Sequence, residues 1–158
     1  MKITDALYGE HGLFHAHLDH LDGLLGGDEK PSLEVLQGLA RGLEAMVVSH
    51  AAIEEDGLFA ALDASLGGMG PLEVMRAEHR EIDRLAAAAR NAPTAAACAG
   101  SLRDLLALLR EHFHKEERVL FVLAQRHLDE DALNALGDAW AETRTVAVAG
   151  PEAMPGCY

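Results

Sequence analysis

Aromatic residues make up only 4% of the chain, and β-branched residues are few. With so little of what pleated sheets are built from, and with alanine and leucine dominant, the balance of propensities favours helix. There are just two cysteines, Cys98 in an Ala-rich segment and Cys157 at the penultimate position. Their separation implies no disulfide, and a reducing compartment fits best. No run approaches the ~20 apolar residues of a membrane span, and Met1-Lys2-Ile3-Thr4-Asp5 lacks the apolar stretch of a signal peptide, so a cytoplasmic protein is expected. Cationic side chains are also scarce. Lys and Arg number 13 against 26 Asp and Glu, a formal net charge of −13. Such a charge repels phosphate backbones and anionic membrane surfaces, so neither nucleic acid nor membrane is expected as a partner.

What the chain does have is helical periodicity. Its 158 residues suffice for one domain with a substantial core, expected over residues 1–145 with a tail over 146–158. Thr4 or Asp5 can cap a first helix with Leu7, His11, Phe14, His15, Leu18, Leu21, Asp22 and Leu25 along one face, ended by Gly26-Gly27. Pro31-Ser32 opens a long second helix, whose stripe runs through Leu36, Leu39, Leu43, Met46, Val47, His50, Ile53, Glu54 and Ala61 to Gly67-Gly68. Gly70-Pro71 opens a third, with Leu72, Met75, His79, Ile82, Leu85, Ala86 and Ala89. Asn91 to Thr94 closes it and caps a fourth, carrying Leu102, Leu105, Leu108, Leu109, His112, Glu116, Val119 and Leu123. Asp129 can cap a short fifth helix with Leu133, Leu136 and Trp140. Short connections make neighbours antiparallel, so the expected fold is all-α, an up-down-up-down four-helix bundle with a short C-terminal fifth helix.

One stretch recurs. His50-Ala-Ala-Ile-Glu54-Glu55-Asp56-Gly57-Leu58-Phe59 returns as His112-Phe-His114-Lys-Glu116-Glu117-Arg118-Val119-Leu120-Phe121, and Glu10-His11 is echoed by Glu78-His79. Residues four apart on a helix point the same way, so each copy presents an imidazole and a carboxylate to one point. A single His-x-x-x-Glu is more often a surface hydrogen-bonded pair. Here each glutamate falls inside an apolar stripe, where a carboxylate is costly unless it is paired or binds a metal. Residues facing each other across a hairpin should be equally far from its turn. His79 and His112 satisfy this about Pro93, and His11 and His50 do so about Asp28-Glu29, to within about one helical turn.

Two such hairpins face to face gather His11, His50, Glu54, His79, His112 and Glu116, the ligand set of a dinuclear metal site between helices. His15, one turn from His11 on the same face, could be a fifth imidazole. His17, His20, His114 and His127 fail on direction or distance and read as surface or capping residues. Glu55 and Glu117, about 100° around the helix from their neighbours, either orient an imidazole or lie exposed, and exposure is the simpler reading. A mixed imidazole and carboxylate set suits Fe, Mn or Zn, and the lack of a cysteine on this face argues against a thiolate zinc site.

The pattern His11, His50-x-x-x-Glu54, His79, His112-x-x-x-Glu116 resembles the hemerythrin-like (HHE cation-binding) family over roughly Ala6 to His127. The resemblance implies a four-helix bundle holding an oxo- or hydroxo-bridged di-iron centre, with the glutamates bridging and the histidines terminal. It also implies binding or sensing of O2, nitric oxide or peroxide; a di-iron oxidase or peroxidase and an iron store are the alternatives. The family's oxygen carriers carry a histidine pair on their third helix. Here the residues four from His79 are Met75 and Asp83. In those carriers the last carboxylate follows its histidine by five residues, which would select Glu117 in place of Glu116. The small ligand is the expected partner of a monomer or homodimer, and the sequence names no protein partner.

Overall fold

Local capping chemistry sets where the helices begin. The structure is a computed structural model that describes residues 1–66 and 70–147. Ser32 accepts from the Val35 N–H to start α2 (Leu33–Ile53), and Thr94 accepts from the Ala97 N–H to start α5 (Ala95–Lys115). Asp129 does the same with Ala132 for α7 (Glu130–Arg144). Pro71 occupies the first turn of α4 (Pro71–Arg90), and Gly70 before it has φ +87°, a conformation that favours glycine. α1 (Ile3–Gly26) differs from expectation. It begins after Lys2 with no side-chain cap, and Thr4 is buried inside it, where its hydroxyl accepts from Gln125 at 3.3 Å.

The described residues are helical, without strands, and form a helical bundle. α2 and α5 do not stop at their ends. Each passes through a π-helical turn, Glu54–Phe59 and Glu116–Leu120 respectively, and continues as α3 (Ala60–Leu66) and α6 (Phe121–His127). In the second turn the Phe121 N–H bonds the Glu116 carbonyl five residues back. A π turn takes up one residue more than an α turn, so each stripe is shifted by one position beyond it. Ala61 gives way to Leu62, which is fully buried. Val119 is 45% exposed, and Leu120, Phe121 and Ala124 take the core face that Val119 and Leu123 were expected to share.

The remaining stripes follow the periodic pattern except at Met46 in α2, which is 40% exposed, and at two positions in α1. Asp22 is exposed and pairs with Arg110 at 3.0 Å, and His15 is half-buried. Phe113, absent from the expected stripe, is fully buried. Cys98 is buried and free, its thiol directed at the Ala89 carbonyl; Cys157, Gly67, Gly68 and most of the expected tail lie outside the described residues.

The core divides into two apolar clusters. One holds Phe14 to Leu25 of α1, Leu36 to Val47 of α2, Ile82 to Ala89 of α4 and Cys98 to Phe113 of α5. The other holds Ile3 and Leu7, Leu58, Phe59 and Leu62, Leu72 and Met75, and Leu120 to Ala124 with Leu133 of α7. On every long helix the residues between the clusters are the histidines and glutamates of the repeat.

Phe113 bridges the apolar and polar layers. Its ring lies 5.0 Å from that of Phe14, 4.5 Å from His11 and 5.8 Å from both His50 and His112. Phe113→Ala should therefore lower unfolding free energy by about 3–5 kcal/mol, measured by urea denaturation. Leu13→Ala, at a position 70% exposed, should change it by less than about 0.5 kcal/mol.

Candidate metal centre

The four helices deliver one imidazole each to the layer between the clusters. His11, His50, His79 and His112 are buried, and Glu54 and Glu116 are wholly excluded from solvent. The imidazoles meet in two pairs, His11 Nε2 to His50 Nε2 at 3.2 Å and His79 Nε2 to His112 Nε2 at 3.1 Å. Both glutamates lie between the pairs. Glu54 places Oε1 3.4 Å from His50 Nε2 and Oε2 3.5 Å from His79 Nε2. Glu116 places Oε2 3.3 Å from His11 Nε2 and Oε1 3.0 Å from His112 Nε2. Two overlapping groups result: His11, His50, Glu54 and Glu116, and His79, His112, Glu54 and Glu116. In each, the ligand atoms lie within 4.8 Å of one another.

An outer layer of carboxylates fixes the tautomers. His11 Nδ1 faces Glu117 at 3.0 Å, His50 Nδ1 faces Glu10 at 2.7 Å, His79 Nδ1 faces Glu55 at 2.7 Å and His112 Nδ1 faces Glu78 at 3.0 Å. An ionised carboxylate only accepts, so each Nδ1 carries the proton and donates. Each Nε2 is then left with its lone pair directed at the centre. The repeat is obeyed throughout: the glutamate preceding one histidine supports the partner histidine of its own hairpin, and the glutamate after each bridging position supports a histidine of the other. Glu55 and Glu117 are thus not simply exposed, because the π turns carry them beside His79 and His11. Glu10 and Glu78 had no role assigned from sequence, although their recurrence immediately before His11 and His79 was the available signal.

The remaining histidines lie elsewhere. His15 belongs to neither group; its half-buried ring stands edge-on to Phe113, 5.9 Å away. His20, His114 and His127 are exposed and His17 is half-buried.

The arrangement fits cations and little else. All four oxygens of Glu54 and Glu116 are buried without a hydrogen-bond partner, a condition native proteins avoid. Ligand atoms about 2.1 Å from an octahedral ion are separated by about 3.0 Å at right angles, comparable to the spacings here. Without a cation, protons must take its place. Burial opposes charge on His50, but the Glu54 carboxylate beside it and the Glu10 hydrogen bond hold its pKa up at about 10. His112, likewise opposed by burial, is held at about 9 by Glu116 and Glu78. Burial would raise Glu54, yet the imidazolium of His50 and the close approach of His50 and His79 Nε2, at 3.4 and 3.5 Å, drive it far below the usual carboxylate range. Burial would raise Glu10 too, and His50, Arg144 and Trp140 instead hold it at about 2.

The hemerythrin HHE cation-binding domain model matches residues 2–124, from the start of α1 to the last core residue of α6. The chain belongs to the hemerythrin HHE cation-binding domain family. No curated protein and no solved structure matches it. The match ends before α7, so that helix lies outside the shared region.

Protons and metal should have opposite effects on stability. For the metal-free HHE chain, the raised histidines contribute stability that is full below the ordinary value of 6.5 and is lost as pH rises through about 9 to 10. The depressed Glu54 contributes above the ordinary carboxylate value and loses that contribution as pH falls through its lowered pKa. The metal-free melting temperature should therefore fall between pH 7 and 10. Metal affinity should rise with pH up to about 9 to 10, because until then binding displaces protons from the imidazoles of His50 and His112. A metal-free melting temperature that climbs towards pH 10 would show that the pairs are not ionised as described.

Proposed function

We propose that this protein holds a dinuclear iron centre and binds or senses O2, nitric oxide or peroxide there. The observation that carries the reading is the sharing of both buried glutamates by two otherwise separate imidazole pairs. A single cation would leave one pair and half of each carboxylate unused. In this assignment Glu54 and Glu116 bridge, His11 and His50 hold one ion, and His79 and His112 hold the other. His15, set apart by its packing on Phe113, takes no ligand role. Glu117 acts through His11, and Glu116 is the bridging residue.

Bound iron would supply a redox-active Lewis acid for a small ligand. The chain's own contribution is to aim four Nε2 atoms, to hold their Nδ1 protons against carboxylates, and to exclude bulk water with two apolar clusters. Mixed nitrogen and oxygen donors also suit manganese or zinc, so the choice of iron rests on the family and on the donor set together. The up-down-up-down order belongs to the same reading; it is supported by the chain's alternate passage from one apolar cluster to the other. No helix among the described residues is long and apolar enough to cross a membrane. A cytoplasmic setting is supported by the free thiol of Cys98.

Anaerobic reconstitution with Fe(II), followed by iron analysis and exposure to O2, tests the assignment. Two irons per chain and a reversible optical change are expected; sustained turnover with added reductant would favour a di-iron oxidase or peroxidase instead. Glu54→Ala or Glu116→Ala should lose one or both irons. Glu117→Ala should weaken binding about 10–100-fold while still reaching two irons at saturation, and His15→Ala should leave the count and spectrum unchanged. Fewer than two irons in the unaltered chain would end the dinuclear reading, and a spectral change in His15→Ala would return that histidine to the site.

A further inference from the structure

The repeat makes the two imidazole pairs alike, but the groups behind them differ. Behind His112, Glu78 meets Lys115, a partly exposed side chain of α5 itself. Behind His50, Glu10 meets two residues of α7, the helix beyond the family-matched residues. Trp140 Nε1–H donates to Oε1 at 2.8 Å, Arg144 Nε–H donates to the same oxygen at 2.6 Å, and Arg144 Nη2 reaches Oε2 at 3.1 Å. The third guanidinium nitrogen, Nη1, donates to Ser49 Oγ, next to His50 in sequence. One planar fork thus ties α7 to α1 and α2 at the back of His50.

α7 has little room to move. Gly137 lies so close to the N-terminus that a Cβ there would stand 1.9 Å from the Met1 carbonyl oxygen. Leu133, Leu136 and Trp140 pack into the cluster of Ile3, Leu7 and Leu58. The His79 side has no such cover. The Glu55 side chain is 42% exposed against 13% for Glu10. Cavities lie on both sides, but one of about 370 Å³ at Glu10, Ser49 and Arg144 does not reach His50, whereas one of about 210 Å³, lined by Val48, Ala52, Glu55, His79, Ile82 and Asp83 among others, has His79 in its wall.

We propose that Arg144 and Trp140 are positioning residues that lock the Glu10–His50 pair, so that the cation held with His50 is retained while the cation held with His79 exchanges through the opening at Glu55. This rests on the dinuclear assignment above. Release of a cation requires a ligand imidazole to turn away, and His11, fully buried between the rings of Phe113 and Phe121, has no room to do so. His50 cannot turn without breaking its bond to Glu10, and Glu10 is itself held by three N–H donors. His79 is held only through Glu55, whose surface position lets carboxylate and imidazole swing together.

The test uses the full chain loaded anaerobically to two Fe(II) and then mixed with excess Fe(II) chelator. Release should occur in two phases of equal amplitude, differing at least tenfold in rate. Trp140 is the only tryptophan and lies one carboxylate from His50, so its fluorescence should follow the slow phase alone. Arg144→Ala and Trp140→Phe should accelerate the slow phase about 10–100-fold and leave the fast phase unchanged. Arg144→Lys should restore part of the retention. Glu55→Ala should accelerate only the fast phase. A single release rate, a slow phase unaffected by these α7 substitutions, or fluorescence that follows the fast phase would overturn the proposal with the dinuclear reading intact. Fewer than two irons loaded would remove both. Should Arg144→Ala fail to fold, the fluorescence of the unaltered chain still decides.

Discussion

Two carboxylates without hydrogen bonds, buried between two apolar clusters, are the constraint to which the rest of this structure answers. Leaving a single charge unpaired in a protein interior costs several kcal/mol, and Glu54 and Glu116 share one small volume. Four long helices must each give up a core position on the apolar stripe to face them with an imidazole. The core is consequently split in two. Stability and occupancy of that layer are therefore linked: whatever cation, proton or metal, satisfies the glutamates also joins the halves of the core.

The number of carboxylates follows from the charge that a filled site must tolerate. Under the dinuclear reading proposed above, two divalent cations about 3.5 Å apart would repel by on the order of 20 kcal/mol even at an effective dielectric constant near 20. Glu54 and Glu116 alone would offset part of this. Glu10, Glu55, Glu78 and Glu117 add four more negative charges behind the imidazoles, where they polarise Nε2 without occupying coordination positions. An excess of acidic residues that at first indicates only solubility is partly the counter-charge of this centre.

Most of the fold was legible because caps and stripes are local. Ser32, Thr94 and Asp129 begin helices where their side chains reach an N–H three residues on, and Leu72 to Ala89 follow α4 without error. The gathering of His11, His50, Glu54, His79, His112 and Glu116 was legible from a repeat in register. What escaped was the π turn. A 3.6-residue period carried past Glu54 and Glu116 misplaces every later residue by one, hence Ala61 for Leu62 and Val119 for Leu120. The same shift concealed why Glu55 and Glu117 reach histidines of the opposite hairpin. The doubled Leu-Phe at 58–59 and 120–121, all four buried, lies within or at the end of these turns. Tertiary pairs between distant segments, such as Arg144 with Glu10 and Tyr8 with the Glu117 carbonyl, leave no periodic signal.

A repeat that lends both glutamates to both imidazole pairs also makes the pairs interdependent. Each carboxylate has one oxygen towards each pair, so a cation on one side fixes the carboxylate plane and thereby places the oxygen on the other. Such coupling is reciprocal by necessity: neither position can favour the other without being favoured in return. Within the two hairpins, ligand, shared glutamate and supporting carboxylate recur in order. What surrounds the repeat differs between the two positions: α7 stands behind His50, and a cavity with His79 in its wall lies on the other side. The surroundings of the two positions therefore differ, with residues 130–144 behind His50 and the half-exposed Glu55 beside His79, although the six residues between the clusters recur in order.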